Sequence, residues 1–258
     1  MEFILYLLYL YVLVYSLYLL ILSIRNLKDR PFFIERKYSR YDDSKASFAV
    51  IIYSHNHKEC LEELVEELKM QDYPLADFKV YAVLDDCNDG SEKIFENDNF
   101  VHVVNIQDVG TLGKNKAVSM LLEELKKDET IDAYVFIDST RRIAPEFLTL
   151  ANAALKKYDA VTGELNINRE NLDIVDRIKA VYKKYQANFF KQSRSLLGLA
   201  TNVDSGLFII KKSALEDAED INFKDINSEL EFSLLLSQTG HKCVYNPNIQ
   251  SLDRKSVV

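Results

Sequence analysis

From Phe3 to Ile24 every position is apolar or tyrosine, except Ser16 and Ser23. At about 1.5 Å per residue the run reaches roughly 33 Å, so it predicts a helix able to cross a hydrocarbon core. A cleaved leader fits poorly. No basic residue precedes the run, it is too long, and no small-x-small cleavage site follows. Tyr6, Tyr9, Tyr11, Tyr15 and Tyr18 carry hydroxyls to depths where lipid offers no partner. The span is therefore expected to pack against another transmembrane helix. Arg25, Lys28, Arg30, Arg36, Lys37 and Arg40 follow directly. The positive-inside rule then gives a single-pass membrane protein, its N-terminus outside and its body cytoplasmic, with the basic collar on anionic membrane lipid. The expected organisation is an anchor over 1–25, a basic juxtamembrane linker over 26–46, and one domain over 47–258.

In that domain, short apolar runs alternate with amphipathic segments. Phe48–Tyr53 (FAVIIY) reads as a strand buried on both faces. Cys60–Met70 places Leu61, Leu64, Val65 and Leu68 at helical spacing, with glutamates opposite. Strands are predicted at Phe78–Leu84, Val101–Asn105 and Ala133–Ile137, and helices from Ser91 to Glu96, Lys114 to Lys127 and Pro145 to Lys157. This alternation argues an α/β fold with an open, mostly parallel sheet and flanking helices. After residue 160 the rhythm changes. Val175–Leu197 reads as a long helix rich in lysine and aromatics, which either packs into the domain or lies at the membrane interface. Leu207–Ile210 reads as a strand, Glu229–Ser237 as a helix ending near Gly240, and Val244-Tyr245 as a short terminal strand.

Composition narrows the class. Of 258 residues 48% are hydrophobic and 28% charged, with 7 Gly and 4 Pro, which excludes collagen-like and wholly disordered chains. The collar takes six of the 32 basic residues and the first 40 positions take three of the 40 acidic ones. Residues 41–258 then hold 26 basic and 37 acidic groups, a balance of −11. Nucleic acid is not a fitting partner for such a body. Three cysteines without paired spacing exclude a disulfide scaffold and a zinc knuckle.

Ligands of open α/β sheets bind beyond the carboxyl ends of the strands. Three polar clusters fall there: Ser54-His55-Asn56, Asp85-Asp86 and Asp138-Ser139-Thr140. A carboxylate at a strand mouth such as Asp138 suits a divalent cation bridging two phosphates, and equally a turn or cap. Asp85 and Asp86 have the same two readings. Lys114, after Gly113, suits either a phosphate or a solvated helix start. Neither a GxGxxG nor a GxxxxGK[ST] fingerprint is present.

The order of the pieces adds to this. FAVIIYSHNHKECLEELVEELKMQDYP, VYAVLDDCNDGS, LGKNKAV, AYVFIDSTRRIAPEFL, VDSGLFIIKKSAL and INSELEFSLLLSQTGHKCVYNPN, over about 47–253, resemble the family 2 glycosyltransferases. The likeness is to the membrane-attached branch with cellulose-synthase-like and poly-N-acetylglucosamine-synthase-like members. The resemblance implies a GT-A fold with a mostly parallel mixed sheet, a nucleotide-sugar half (47–160) and an acceptor half (161–258). It implies transfer from a nucleotide-sugar donor, UDP-linked in most members, to a lipid-linked or glycan acceptor with Mg or Mn, in polysaccharide biosynthesis. Tyr53, Asn56, Asp85 (toward the base), Lys114 and Asp138 would line the donor site. Asp138 and Thr140 would meet the metal, Asp204, Ser205 and Gly206 would face the acceptor, and Glu229 would be the base.

Departures fall on chemical positions. The mouth reads Tyr53-Ser54-His55-Asn56-His57 instead of Pro-x-x-Asn-Glu, and Thr140 stands for the second aspartate of DxD. Asp204-Ser205-Gly206 stands for Gly-x-Gly, and Ser228-Glu229 for Glu-Asp. The sequence given ends at Val258, ahead of the family's QxxRW and its following spans, so no polymer channel is implied. Two outcomes stay open: an active transferase, or a catalytically impaired partner subunit of a membrane glycan-synthesis complex. A nucleotidyltransferase would need a glycine-rich basic loop after the first strand, and 53–58 has none.

Overall fold

A computed structural model of the chain describes residues 2–28, 44–95, 98–107, 110–167, 173–204, 206–218 and 229–253. Most of the juxtamembrane linker and its basic collar, Glu96, Ser205 and Ser228 lie outside the described residues, and of Glu229 only the backbone is described.

Helix α1 (Glu2–Lys28) contains the apolar stretch Phe3–Asn26, long and apolar enough to span a membrane. Most of it is exposed, as a lipid-facing rod would be. Tyr11 and Tyr15 stack at 6.2 Å, and Tyr15 and Tyr18 lie 6.4 Å apart, forming one tyrosine side. Its last turns meet the body. There Leu22 is buried, Tyr18 Oη accepts from Arg194 Nη1 at 2.8 Å, and Arg25 Nη2 donates to the Leu196 carbonyl at 3.4 Å.

The body is built on one mixed sheet. Its strands are β1 (Phe48–Ser54), β2 (Phe78–Asp85), β3 (Val101–Ile106), β4 (Ala133–Asp138), β5 (Arg141–Ile143), β6 (Ala160–Ile167), β7 (Leu207–Lys211) and β8 (Cys243–Asp253). They lie in the order β3-β2-β1-β4-β7-β6-β8-β5. The first four in space are parallel, β7 is antiparallel to both β4 and β6, β8 runs parallel to β6, and β5 pairs antiparallel with β8. The sheet is continuous across residue 160, because β7 joins β4 and β8 joins β5.

Around it lie α2 (Lys58–Lys69), α3 (Lys114–Leu125), α4 (Phe147–Leu155), α5 (Ile174–Tyr185), α6 (Gln192–Leu196), α7 (Lys212–Asp217) and α8 (Glu229–Gln238). The two-residue period of β1 sorts its side chains into two cores. Phe48, Val50 and Ile52 join Leu61, Leu64, Val65 and Leu68 of α2 and Phe147 and Ala151 of α4. Ala49 and Ile51 join Ala117, Val118 and Leu121 of α3 and Phe232 and Leu236 of α8. Both strand faces are covered, which is why β1 and β4 read as unbroken apolar runs.

Several elements depart from the pattern. The predicted helix at Ser91 is one 3-10 turn, Ser91–Phe95. Strands β5 and β6 and helix α7 were not predicted, and β8 is eleven residues where two were expected. The long helix breaks into α5, a π-helical turn (Gln186–Lys191) and α6. Packing into the domain holds only for its end, where Gln192 and Ser193 are buried. No residue of α5 is buried, and Ile174, Val175, Ile178, Val181, Tyr182 and Tyr185 are exposed.

Candidate active site

Parallel strands β1, β2 and β4 end side by side, and their last residues supply the chemistry. Tyr53 is paired in register with Asp138 across β1 and β4. The Ser139 N–H bonds the Tyr53 carbonyl at 2.9 Å, so the turn after β4 is fixed to the mouth of β1. Asp85 closes β2 and is fully buried. Its Oδ1 accepts the Leu112 N–H at 2.9 Å, and its Oδ2 accepts the Gly113 N–H at 2.9 Å and the Tyr53 hydroxyl at 3.0 Å. A carboxylate so placed can be charged in the interior because three donors replace its water. Burial, then this contact with Asp85, pushes the Tyr53 phenol well above its ordinary range. Tyr53 is therefore a fixed donor, not an acid.

What Asp85 holds is the segment that delivers Lys114. Gly113 caps α3 at φ 85°, a left-handed conformation that a side chain resists. From the first helical position the Lys114 ammonium forms an ion pair with the Asp138 carboxylate. Both are about one-fifth exposed, so the pair is reachable from solvent.

The loops after β1 and β2 each hold one residue in the left-handed region. Asn56 and Asp86 both adopt φ 53°, unusual without glycine. Asn56 Oδ1 accepts the Asn88 N–H at 2.8 Å, joining the loops after β1 and β2. His55 donates Nδ1–H to the Asp85 carbonyl at 2.5 Å, a tautomer set by that acceptor, which leaves Nε2 facing Asn56 Nδ2 at 3.4 Å.

A cavity of about 340 Å³ opens here, lined by Tyr53, His55, His57, Lys114, Asp138, Ser139 and Thr140. Of the residues read from sequence, the structure brings Tyr53, Lys114, Asp138 and Thr140 around one space. Asp85 and Asn56 stand behind it as supports. His55, from the Ser54-His55-Asn56 cluster, and His57 line it as well, although the sequence gives neither a role. Their alternation directly past an apolar strand was the available signal.

Asp204 and Gly206, which the resemblance assigns to the acceptor side, adjoin this cavity. The Gly206 carbonyl accepts the Asp138 N–H at 3.0 Å, and Asp204 Oδ1 accepts the Gly206 N–H at 2.9 Å and approaches Arg141 Nη2 at 3.4 Å. The Ser233 hydroxyl of α8 accepts the Val203 N–H at 3.0 Å, so the helix that Glu229 begins is tied to the same loop.

For a divalent cation the protein donors are few. Among the described residues no group of three His, Cys, Asp or Glu side chains is close enough to hold a metal. Asp138 offers one carboxylate and Thr140 one hydroxyl, so a hard cation needing about six oxygens would take the rest from a bound diphosphate and water. The residues fit a cation shared with the donor, not one held by the protein alone.

No protein-family model matches the chain, and no curated protein matches its sequence. Solved structures do match. A mannosyltransferase, PcManGT from Pyrobaculum calidifontis in complex with GDP-Man and Mn2+, aligns over 93% of this chain with a TM-score of 0.69 and 17% identity. S. aureus TarS (residues 1–349) aligns over 80% with a TM-score of 0.56 and 20% identity, and its complex with UDP gives 0.55 and 19%. The chain spans 66% of the mannosyltransferase chain and 60% of the TarS fragment. At such identities the likeness shows a fold shared with glycosyltransferases.

Proposed function

We propose that the chain is a glycosyltransferase that takes a sugar from a nucleotide-linked donor, with α1 as a membrane anchor and the body on the cytoplasmic side. The observation that carries this is the convergence of Lys114, Asp138 and Thr140 on one cavity beyond the ends of β1 and β4. The residues before 160 would serve the donor and those after it the acceptor. A UDP-linked donor and an acceptor in membrane glycan synthesis follow from the sequence resemblance.

In this reading the donor's diphosphate lies against Asp138 and Lys114. A divalent cation, Mg or Mn, held by Asp138 and Thr140 together with that diphosphate, would neutralise charge on the leaving group. Lys114 now pairs with Asp138, and would turn to the diphosphate as the donor enters, so charge developing at the leaving oxygen meets an ammonium already in place. Asp85 does not touch the reacting atoms here. It positions Lys114 through Leu112 and Gly113, and Tyr53 through its hydroxyl. Attack comes from the side of Asp204 and Gly206. For a hydroxyl acceptor the proton passes to Glu229 as general base.

The test is release of nucleoside diphosphate by the full chain in neutral detergent micelles, over UDP- and GDP-linked donors with Mn. Turnover is expected with at least one donor, and Asp138→Asn is expected to lower it by about 100-fold or more. Binding of UDP or GDP without turnover on any donor would favour the partner-subunit reading. Turnover unchanged in Asp138→Asn would remove Asp138 from the mechanism.

A further inference from the structure

Outside α1, the large apolar side chains left exposed among the described residues are not scattered. Eight of fifteen fall between positions 174 and 199. Six of these, Ile174, Val175, Ile178, Val181, Tyr182 and Tyr185, lie on α5, where the 3.6-residue period gathers them into one stripe roughly 120° wide. The half-buried positions of α5, Asp176 and Ala180, fall on the opposite side of the helix. The body thus holds the back of α5, and the stripe faces away from it. A contiguous exposed patch of this kind marks a surface for protein or membrane.

Charge and position name the occupant. From 174 to 199 the sequence carries six basic residues and one acidic residue, Asp176, a balance of +5 on a strongly acidic body. Arg177 and Lys184 border the stripe on one side and Lys179 on the other. Lys179 and Lys184 keep ion pairs with Asp176 and Glu164, at 3.0 and 3.3 Å, yet their side chains remain 65% and 47% exposed. At its C-terminal end α5 runs without a break into the π-helical turn, which packs beside the end of α1. Helix α6 follows and is bound to that same end, Arg194 to Tyr18 and the Leu196 carbonyl to Arg25. Just beyond it Leu197 and Leu199 are exposed as well. The stripe therefore starts near the foot of α1 and extends about 18 Å along the twelve residues of α5. A helix apolar on one face, basic along its borders and fixed beside a membrane span suits the headgroup layer better than water.

We propose that α5 lies in the surface of an anionic lipid membrane, its apolar stripe turned into the acyl boundary and Arg177, Lys179 and Lys184 among the phosphates. The inference rests on α1 as an anchor and is independent of the transferase reading. One attachment crosses the bilayer and the other lies on it. Together they stop the body from turning about its anchor and hold it in one orientation on the membrane.

The chain has no tryptophan, so a single one reports its own surroundings. Full chains carrying Ile178→Trp on the stripe, Leu10→Trp on α1, or Met70→Trp, exposed just after α2, are reconstituted into phosphatidylcholine bilayers with and without phosphatidylglycerol. The lipids are brominated either high or low on their acyl chains, and bromine quenches only tryptophan that it touches. The apolar face of such a helix sits about 5–10 Å into the headgroup and acyl boundary, so Ile178→Trp is expected to lose about half its emission or more to the shallow bromines. Leu10→Trp should be quenched by the deep ones, and Met70→Trp by neither. Adding Val175→Asp/Val181→Asp, both at exposed positions, should abolish quenching of the Ile178→Trp probe and leave that of Leu10→Trp unchanged. Phosphatidylglycerol should increase the quenching of Ile178→Trp, and salt should reverse that gain. Blue-shifted Ile178→Trp emission without lipid quenching would mean that a second copy or another protein covers the stripe. Quenching by aqueous iodide alone would mean that water does. Either result overturns the proposal, and equal quenching in neutral and anionic bilayers overturns the choice of anionic lipid. Quenching of Leu10→Trp without that of Ile178→Trp sinks this inference and leaves the anchor standing, whereas quenching of neither removes the anchor itself.

Discussion

Substituting Asp85 by asparagine keeps shape and volume and removes one acceptor atom, so its cost can be worked from three bonds. Oδ1 serves Leu112, while Oδ2 serves both Gly113 and Tyr53. If the new amide replaces Oδ2, Tyr53 can turn its hydroxyl and accept, but the Gly113 N–H faces another donor. If the amide is flipped, the Leu112 N–H is the one left over. Either way one backbone donor is orphaned at a fully buried site, and the remaining bonds lose their charge. An unsatisfied buried donor costs about 1–3 kcal/mol, so the total is on the order of 2–4 kcal/mol. For a chain of this size that is a fall in Tm of roughly 5–15 °C. The chain has no tryptophan, so far-ultraviolet circular dichroism is the practical readout. Freed from its clamp, the Leu112-Gly113-Lys114 segment shifts, and displacement of the ammonium by about 1 Å can lower turnover roughly 100-fold. The reasoning fails if Asp85→Asn melts with the wild type and changes only which nucleotide is accepted. Asp85 would then read the base.

Two glycines should separate stability from function. An added Cβ at Gly163 meets the Ile249 carbonyl oxygen at 2.1 Å, backbone that cannot turn aside, so Gly163→Ala should lower Tm strongly. At Gly206 the nearest atoms are all of the Arg141 side chain, so Gly206→Ala should chiefly impair acceptor binding, with a smaller change in Tm. His241 offers a pH test. Burial lowers its affinity for a proton, but hydrogen bonds to Asp217 and Asp159 outweigh this and raise its pKa above the ordinary 6.5. Its contribution to stability is complete below about pH 6.5 and is lost as pH rises through the folded-state value. The Tm of the wild type should therefore decline over that window by a component absent in His241→Asn, and identical slopes would refute the linkage. Arg194→Ala removes the donor to Tyr18 and to the Ala200 carbonyl. It should speed proteolysis near residues 196–200 and leave nucleotide affinity intact.

The histidines at the mouth of β1 show where a linear reading stops. His55 and His57 enter the cavity because β1 ends there in register with β4, a fact about pairing that no local pattern carries. The same holds for Asp85. At a strand end it reads as a ligand contact, and only the fold shows that it is buried and already holds three internal donors.

The sequence by itself determined the long apolar helix at the N-terminus, the alternating first half and the strand ends at which polar residues gather. Long apolar runs and 3.6-residue periodicity are local consequences of burial on both faces of a strand or one face of a helix. Tertiary structure alone decided the rest. Arg141–Ile143 is a strand only because β8 pairs with it, and β6 and β8 carry polar residues, Gly163 and Pro247 through a bulged ladder. Likewise, the cavity lined by Arg141, Lys183, Lys191 and Asp204 exists only where α5, the π-helical turn and the loop before β7 meet. Charges far apart along a chain become a site only when packing fixes their separation.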